Sequence, residues 1–466
     1  MERDDIFLYG APASGKTTLG AALAASLGVE FVDLDAAIAA AAGRDIPAIF
    51  AAEGEAGFRR RESEALAAVV ASHGGSRRVV ALGGGALLSD SNRALCESSG
   101  TVLCIDTPPG EELARRLADK PSSRPLGDKA RERAPHYASF PNRIARWFEL
   151  DSSLVVVGRG IAKCVLQGAR FVADATVAQI YAKSVPAPVA TIPSGEKFKT
   201  PATVMALWSA FAKSGVGRRD RVVALGGGVT GDLVGFAAAT WMRGIDWMNV
   251  PTTLLSMVDA SVGGKTGCDL PEGKNLAGAF HSPRLVAVDA AFLETLSAPL
   301  LACGKAEMVK HEVIGGLRGG VGGGIPTAAD IAESLSVKVS IVREDPFERS
   351  GRRMLLNCGH TIGHAVEKFS DYALSHGEAV AIGCVEEARL AVRMGLAPEA
   401  WPEELAERFA AAGLPVALPA GIALDALVPL MRGDKKREGG SVAFALPCGM
   451  GDVRAVKVDL SSGRLP

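Results

Sequence analysis

The sequence predicts an α/β protein of more than one domain, and three observations carry that prediction. A phosphate-loop pattern, Gly10-Ala-Pro-Ala-Ser-Gly-Lys-Thr17, stands between a strand-like run and an alanine-rich helical run. Short apolar runs that end in glycine alternate with helical stretches up to about residue 290. The remainder is mainly helical and packs three of the seven histidines, His360, His364 and His376, into seventeen residues.

Composition narrows the class further. A chain of 466 residues exceeds one ordinary core. We expect a phosphate-loop, parallel-sheet domain over 1–150, a Rossmann-like α/β domain over 151–290 and a mainly helical metal-binding domain over 291–466. With 48% hydrophobic residues, 22% charged residues and a net charge of −1, it reads as globular and soluble. That balance makes no case for nucleic acid or an anionic membrane surface. No uncharged apolar run is long enough for a bilayer, and Met-Glu-Arg-Asp-Asp at the start lacks a signal-peptide pattern. The eight cysteines are scattered with no Cys-x-x-Cys, which suits reduced thiols and a cytoplasmic location.

The elements follow in order. Residues 6–9 read as a buried strand, and a helix is expected from about Thr17 to Leu27. Strand-like runs recur at Val79–Leu82 and Val102–Ile105. Residues 120–146 are basic and proline-punctuated, which suits an exposed loop or lid. A second alternation begins near Leu154–Val157. Gly315–Gly324 reads as a flexible connection and Val442–Leu446 as a late strand. The string Arg-Val-Val-Ala-Leu-Gly-Gly-Gly occurs at 78–85 and at 221–228 with unlike flanks. It marks a shared form, a buried strand ending in a bare turn, more than a duplication.

In the first loop, Gly10, Ser14 and Gly15 let backbone N–H groups wrap a phosphate at a helix N-terminus. Lys16 reaches the β- and γ-phosphates of ATP, Thr17 holds Mg²⁺, and Thr18 follows in the first helical turn. Asp33 and Asp35 follow the next apolar stretch, one suited to the metal and one to a substrate hydroxyl. Arg59 and the bare turn Gly83-Gly84-Gly85 suit a small polyhydroxy acid, although the run Arg59–Arg61 by itself reads as a solvated helix face. Together these residues resemble the shikimate kinase family over about residues 5–150. The resemblance implies shikimate contacts from Asp35, Arg59, the Gly83–Gly85 turn and Arg133. It also implies a lid arginine, Arg124, on ATP. The stretch between Arg124 and Arg133 is shorter than that family's lid.

Further on, Gly226-Gly-Gly-Val-Thr-Gly-Asp232 offers a pyrophosphate turn between strand and helix. Lys265, Lys274, Arg243 and Asn275 then fall within about thirty residues, a set suited to a substrate carrying phosphate and carboxylate. Glu307 and Lys310 lie three apart on one helix face. His360 and His364 share a face as well, and with His376 and a carboxylate such as Glu307 they suit an open metal site.

This arrangement resembles the 3-dehydroquinate synthase family from about residue 152 to 455. The resemblance makes Glu307, His360 and His376 ligands of Zn²⁺, or of another divalent ion such as Co²⁺, and His364 an acid/base group. It implies NAD contacts from Asp174, Glu196, Lys199, Gly227, Gly228, Val229, Asp232, Thr252, Thr253, Lys274 and the Phe292–Thr295 stretch. Substrate is implied at Asp259, Lys265, Asn275, Lys310, Lys338, Arg353, Asn357 and Lys435 or its neighbour Lys436, with Arg243 reaching across a homodimer interface. The family's acidic residue before the substrate arginine best matches Glu348, with one extra residue before Arg353. The stretch from Lys310 to Lys338 is also much shorter than that family's, with the glycine run in place of helix. The expected function is a fusion that phosphorylates shikimate with ATP and cyclises 3-deoxy-D-arabino-heptulosonate 7-phosphate to 3-dehydroquinate. The alternatives are another sugar-phosphate cyclase or a polyol dehydrogenase in the second part, or a non-catalytic nucleotide-binding module in the first.

Overall fold

The computed structural model describes residues 4–72, 75–118, 126–432, 437–438 and 441–466. Arg124, Lys435 and Lys436 lie outside the described residues. The chain divides into two compact units. One comprises Met1–Arg170, Lys183–Pro186 and Pro283–Asp289; the other comprises Phe171–Ala182, Ala187–Ser282 and Ala290–Pro466. The strands in chain order are β1 (Asp5–Gly10), β2 (Glu30–Asp33), β3 (Arg78–Ala81), β4 (Gly100–Ile105), β5 (Arg143–Leu150), β6 (Ser153–Arg159), β7 (Arg170–Asp174), β8 (Ala190–Ile192), β9 (Arg221–Gly226), β10 (Asp246–Pro251), β11 (Lys265–Leu270), β12 (Gly273–Phe280), β13 (Leu285–Asp289), β14 (Arg437–Glu438), β15 (Ser441–Gly449) and β16 (Asp452–Asp459).

In the first unit the sheet runs β2-β3-β1-β4-β5-β6-β13. β1 pairs in parallel with β3 and β4 and is buried along its whole length, as a strand covered on both faces must be. At residue 150 the chain makes a tight turn through Asp151-Ser152, and β6 returns antiparallel along β5. β6 then pairs in parallel with β13. Val155, Val156 and Val157 are fully buried, and the helix Lys16–Leu27 that follows the phosphate loop lies against β6. This unit therefore continues past residue 150 as one core.

The described part of 120–146 differs from the expected loop. It forms helices Leu126–Glu132 and Ala134–Ala138 and then enters β5. Ala130, Tyr137, Phe140 and Ile144 are buried, and these widely spaced apolar anchors, hidden among basic residues, tie the segment to the core.

In the second unit β10-β9-β7-β8 form a sheet in which β9 pairs β10 and β7 pairs β8 in parallel, and β11 and β12 form an antiparallel hairpin. From Ala298 the chain is mainly helical. The helix His376–Arg393 is central: it packs on helices Ala298–Gly315, His360–Phe369 and Trp401–Ala411 and on β15, which contains the expected late strand. Helix Ala298–Gly315 stops at Gly316, whose φ of 66° closes the last turn onto Glu312. The glycine-rich stretch that follows is a loop, held where the Lys305 ammonium donates to the Gly323 carbonyl at 2.8 Å.

Candidate active sites

In the first unit the phosphate loop leaves β1 at Gly10, whose φ of 137° and closeness to Ile105 exclude a side chain. Gly15, at φ 96°, opens the helix. The Lys16 ammonium donates to the carbonyls of Gly10 and Ala11 at 2.9 and 2.8 Å, folded over the loop. The Thr17 hydroxyl donates to Asp33 at 2.8 Å, and the other oxygen of Asp33 caps helix Leu34–Ala42 by accepting from Ala36. Ser14 is buried with its hydroxyl unpaired among the described residues.

The cavity beside this loop is lined by Asp35, Arg59, Glu62, Gly83–Gly85 and Arg133 as well as Lys16 and Thr17. Asp35 sits in the first turn of the helix that Asp33 caps, two residues beyond it. Arg59 is no solvated face residue: it is partly buried, pairs with Glu62 at 2.5 Å and presses so close to Gly85 that a methyl there would meet its guanidinium. Burial pushes the Glu62 carboxyl above the usual carboxylate range, against the pull of Arg59. Arg61 instead pairs with Glu53. Arg133 and the Tyr137 hydroxyl both donate to the Gly84 carbonyl, at 3.3 and 2.7 Å, fixing the bare turn. Sequence reasoning missed Glu62 and Tyr137; the spacing of Glu62 three residues after Arg59 was the available signal.

In the second unit β9 ends in the Gly226–Gly228 turn and the helix Gly228–Thr240 begins, with Val229 in its first turn. Gly227 faces Thr253, and Thr252 donates its N–H to Gly226. The Lys199 ammonium lies 2.6 Å from Asp232 and 2.7 Å from Asn275, with Glu196 at 4.0 Å. Asp174 caps helix Ala175–Ile180 and accepts from Ser194 at 2.7 Å. The missed Tyr181 meets Phe292 edge-on and shares a hydrogen bond with Thr295 at 2.7 Å.

A second group of polar residues surrounds helix Ala298–Gly315. Lys338 lies 2.5 Å from Asp259; burial resists ionisation of that carboxyl, but Lys338 holds it well below the usual range. Lys265 pairs with Glu348 at 2.7 Å. Arg353 donates to the carbonyls of Gly263 and Pro346, and its guanidinium leaves no room for a side chain at Gly263. Asn357 ends the adjacent 3₁₀ turn. Arg243 stands exposed at φ 71°, and no hydrogen bond or ion pair among the described residues joins it to this group.

Glu307 is fully buried and ion-paired with Lys310. Its Oε1 lies 3.7 Å from His360 Nε2 and 3.5 Å from His376 Nε2, and neither carboxylate oxygen accepts a hydrogen bond of normal geometry among the described residues. Burial and Lys310 push His360 well below the ordinary imidazole range. For His376, burial is outweighed by Glu307 and Glu367, which raise its pKa to about 9. His360 and His364 share a helix face as the spacing predicts, with ring centroids 5.2 Å apart, and His364 is the exposed one.

The glycines beside the histidines have a packing role. A side chain on Gly383 would strike the Gly359 carbonyl and Gly363, and one on Gly377 would strike Cys303. Only glycine lets these helices approach closely enough to bring the imidazoles onto Glu307. The missed Glu387, fully buried, accepts the N–H groups of Gly359, Thr361 and Ile362 at 2.8–3.1 Å and so anchors the helix that carries His360.

Comparisons with known proteins match the stretches of chain that carry these candidate sites. The shikimate kinase family model matches residues 12–153. The models for the N-terminal and C-terminal parts of 3-dehydroquinate synthase match 189–302 and 324–437. A 3-dehydroquinate synthase from Synechococcus sp. is 45% identical over 281 residues, which cover 56% of this chain and 75% of that protein. Among solved structures, 2-deoxy-scyllo-inosose synthase complexed with carbaglucose-6-phosphate, NAD⁺ and Co²⁺ aligns with a TM-score of 0.60 and 25% identity, over 68% of this chain and 97% of that one. The 2-epi-5-epi-valiolone synthase of Streptomyces hygroscopicus subsp. jinggangensis, with NAD⁺ and Zn²⁺ bound, aligns with a TM-score of 0.58 and 28% identity, over 67% and 93%.

Proposed function

Because the chain belongs to the 3-dehydroquinate synthase family and carries a shikimate kinase ahead of it, we propose the following division of work among its residues. The chain is a bifunctional enzyme of the shikimate pathway, a kinase for shikimate and a synthase of 3-dehydroquinate. The other sugar-phosphate cyclases align at 25% and 28% identity, against 45% for the synthase, so the alternative cyclase reading is not favoured.

In the kinase part Lys16 binds the ATP phosphates, with Thr17 and Asp33 holding Mg²⁺. Shikimate lies over the Gly83–Gly85 turn between Asp35, Arg59 and Arg133; the support is one cavity that these side chains line together.

In the synthase part Glu307, His360 and His376 hold a divalent metal, zinc or cobalt. The observation that carries this is the buried Glu307 carboxylate, ion-paired with Lys310, whose Oε1 has two imidazoles at 3.5 and 3.7 Å and accepts no hydrogen bond of normal geometry among the described residues. The Gly226–Gly228 turn, Lys199, Asp232 and the Thr252–Thr253 pair suit a pyrophosphate cofactor, NAD. When bound, the metal supplies Lewis-acid charge and NAD a hydride acceptor, which an alcohol oxidation beside a leaving phosphate needs. Lys265, Lys338 and Arg353 hold the anionic substrate, 3-deoxy-D-arabino-heptulosonate 7-phosphate. Lys310 balances Glu307, while exposed His364 moves protons beside the triad and Glu348 orients and exchanges them next to Lys265. Exposed Arg243 suits a homodimer in which it reaches a partner's site.

The test is phosphate release from this substrate by the whole chain. It should need NAD, stop with a chelator and return with Zn²⁺, while Mg²⁺-dependent ADP formation from ATP and shikimate survives chelator removal and Mg²⁺ addition. Phosphate release indifferent to NAD and metal would sink the assignment.

A further inference from the structure

The tip of the β11–β12 hairpin reaches toward the metal-binding helices through one contact that the proposed reaction does not use. The Lys274 ammonium lies over the ring of Tyr372, 4.1 Å from its centroid, and its charge also bears on Glu367, the carboxylate 3.5 Å from His376. Tyr372 follows the helix His360–Phe369, one turn before His376. Its backbone is unusual. Asp371 and Tyr372 are adjacent non-glycine residues with φ of 49° and 60°. Tyrosine rarely adopts this left-handed region, and nothing about burial demands it, since Tyr372 is 51% exposed. Its N–H closes onto the Glu367 carbonyl at 2.8 Å, so the chain is bent back just far enough to aim the ring at Lys274. On the other side of Lys274, Asn275 is itself at φ 54° and accepts from Lys199, which pairs with Asp232. Lys274 is thus held between the glycine-turn side of the site and the histidine helices, and Tyr372 is the residue that grips it.

We propose that Tyr372 is a positioning residue for cofactor binding: its ring face holds the Lys274 ammonium by a cation–π contact. The inference rests on the reading that Lys274 touches NAD. An exposed contact of this kind is worth about two- to five-fold in a binding constant. The intact, zinc-loaded chain is compared with Tyr372→Leu, Tyr372→Phe, Lys274→Ala and the double variant Tyr372→Leu/Lys274→Ala. The readouts are NADH affinity from its own fluorescence, the NAD concentration for half-maximal phosphate release, kcat and zinc content, with shikimate phosphorylation as the control for folding. Tyr372→Leu should weaken NADH and NAD about two- to five-fold with kcat and zinc unchanged. Tyr372→Phe, which keeps a ring face, should restore parental affinity, and the double variant should be no weaker than Lys274→Ala. Leu and Phe behaving alike, full additivity with Lys274→Ala, or zinc loss in Tyr372→Leu would each overturn the role. If Lys274→Ala itself leaves NADH affinity unchanged, the cofactor reading of Lys274 fails and the inference goes with it. Failure confined to the Tyr372 variants leaves that reading standing.

Discussion

Replacing His360 and His364 separately by alanine tests the metal assignment most directly, because the rings are 5.2 Å apart on one helix face yet have different work assigned. His360 is 9% exposed and its Nε2 faces a Glu307 carboxylate that is fully buried. Its loss leaves two protein donors, Glu307 and His376, and an enlarged polar hole between them. Losing a mere hydrogen-bonding partner of a ligand already weakens a metal by about 10–100-fold. Losing the ligand should therefore cost at least about 100-fold, or about 2.7 kcal/mol. His364 is exposed and outside that triad, so its removal leaves all three donors in place. Its cost should fall on proton transfer, about 10²–10⁴ in kcat. The assay is zinc content after gel filtration, beside phosphate release at saturating NAD and Zn²⁺, with shikimate phosphorylation as the internal control. A competing arrangement is written into the same structure: His364, Glu367 and His376 also bring donor atoms within 4.8 Å of one another. If the metal sits there, the outcomes exchange. Zinc lost from His364→Ala but kept in His360→Ala refutes the reasoning.

Lys338→Met strands the Asp259 carboxylate and should cost about 3–5 kcal/mol in urea unfolding of the second unit, largely recovered by Asp259→Asn in the same chain; no recovery would mean the pair is not the cause. His311, buried against Ser334, has its pKa depressed from 6.5 to about 4 by burial and Lys310. It is neutral in the fold, so its share of stability is whole above 6.5 and drains as pH falls toward 4. About 2 kcal/mol should be gone by pH 5, and His311→Gln should flatten that slope in urea midpoints; a variant as acid-sensitive as the parent contradicts this. Lys16→Met should lower shikimate phosphorylation by about 10²-fold or more and leave phosphate release untouched, measured in one preparation. Val156→Asp buries a charge in β6 against the phosphate-loop helix and should cost about 4 kcal/mol or more. Kinase activity should fall with it, although residue 156 follows the matched kinase segment 12–153; a fully active kinase would show that β6 is dispensable to that core.

Much of both candidate sites was legible because their signals are local. The phosphate loop, the glycine turns, the Glu307–Lys310 spacing and the histidine cluster each lie within one turn or one helix, where chain geometry alone fixes the neighbours. What stayed hidden was set by partners far along the chain. Glu387 reads as an ordinary helix carboxylate until it meets the N–H groups of Gly359 and Thr361, and Tyr137 reads as a loop tyrosine until it meets Gly84. The pairing of β5 with β6 was hidden for the same reason: alternation predicts strands, but which edge a strand joins depends on packing. Residues 126–146 misled through composition, since their basic residues outnumber the few apolar positions that anchor them.

The two departures from the synthase pattern are absorbed by loops that hold their own ends. The extra residue between Glu348 and Arg353 sits in a turn organised by Asp345, which accepts N–H groups from Arg349, Ser350 and Arg353. Glu348 takes the bend at φ 57°, and beyond that turn it still reaches Lys265 while Arg353 still reaches Gly263. The shortened stretch after Lys310 behaves alike. Gly316 stops one helix, the Thr327–Asp330 capping box starts the next, and Lys305 pins the loop between them. Glu307, Lys310 and Lys338 are then placed by helix packing and not by the length of the connection. Sequence spacing between reacting groups is therefore a weak guide to their separation in space wherever both ends of a loop are independently capped. Judging the insertion and the deletion by spacing alone overstates their reach into the site.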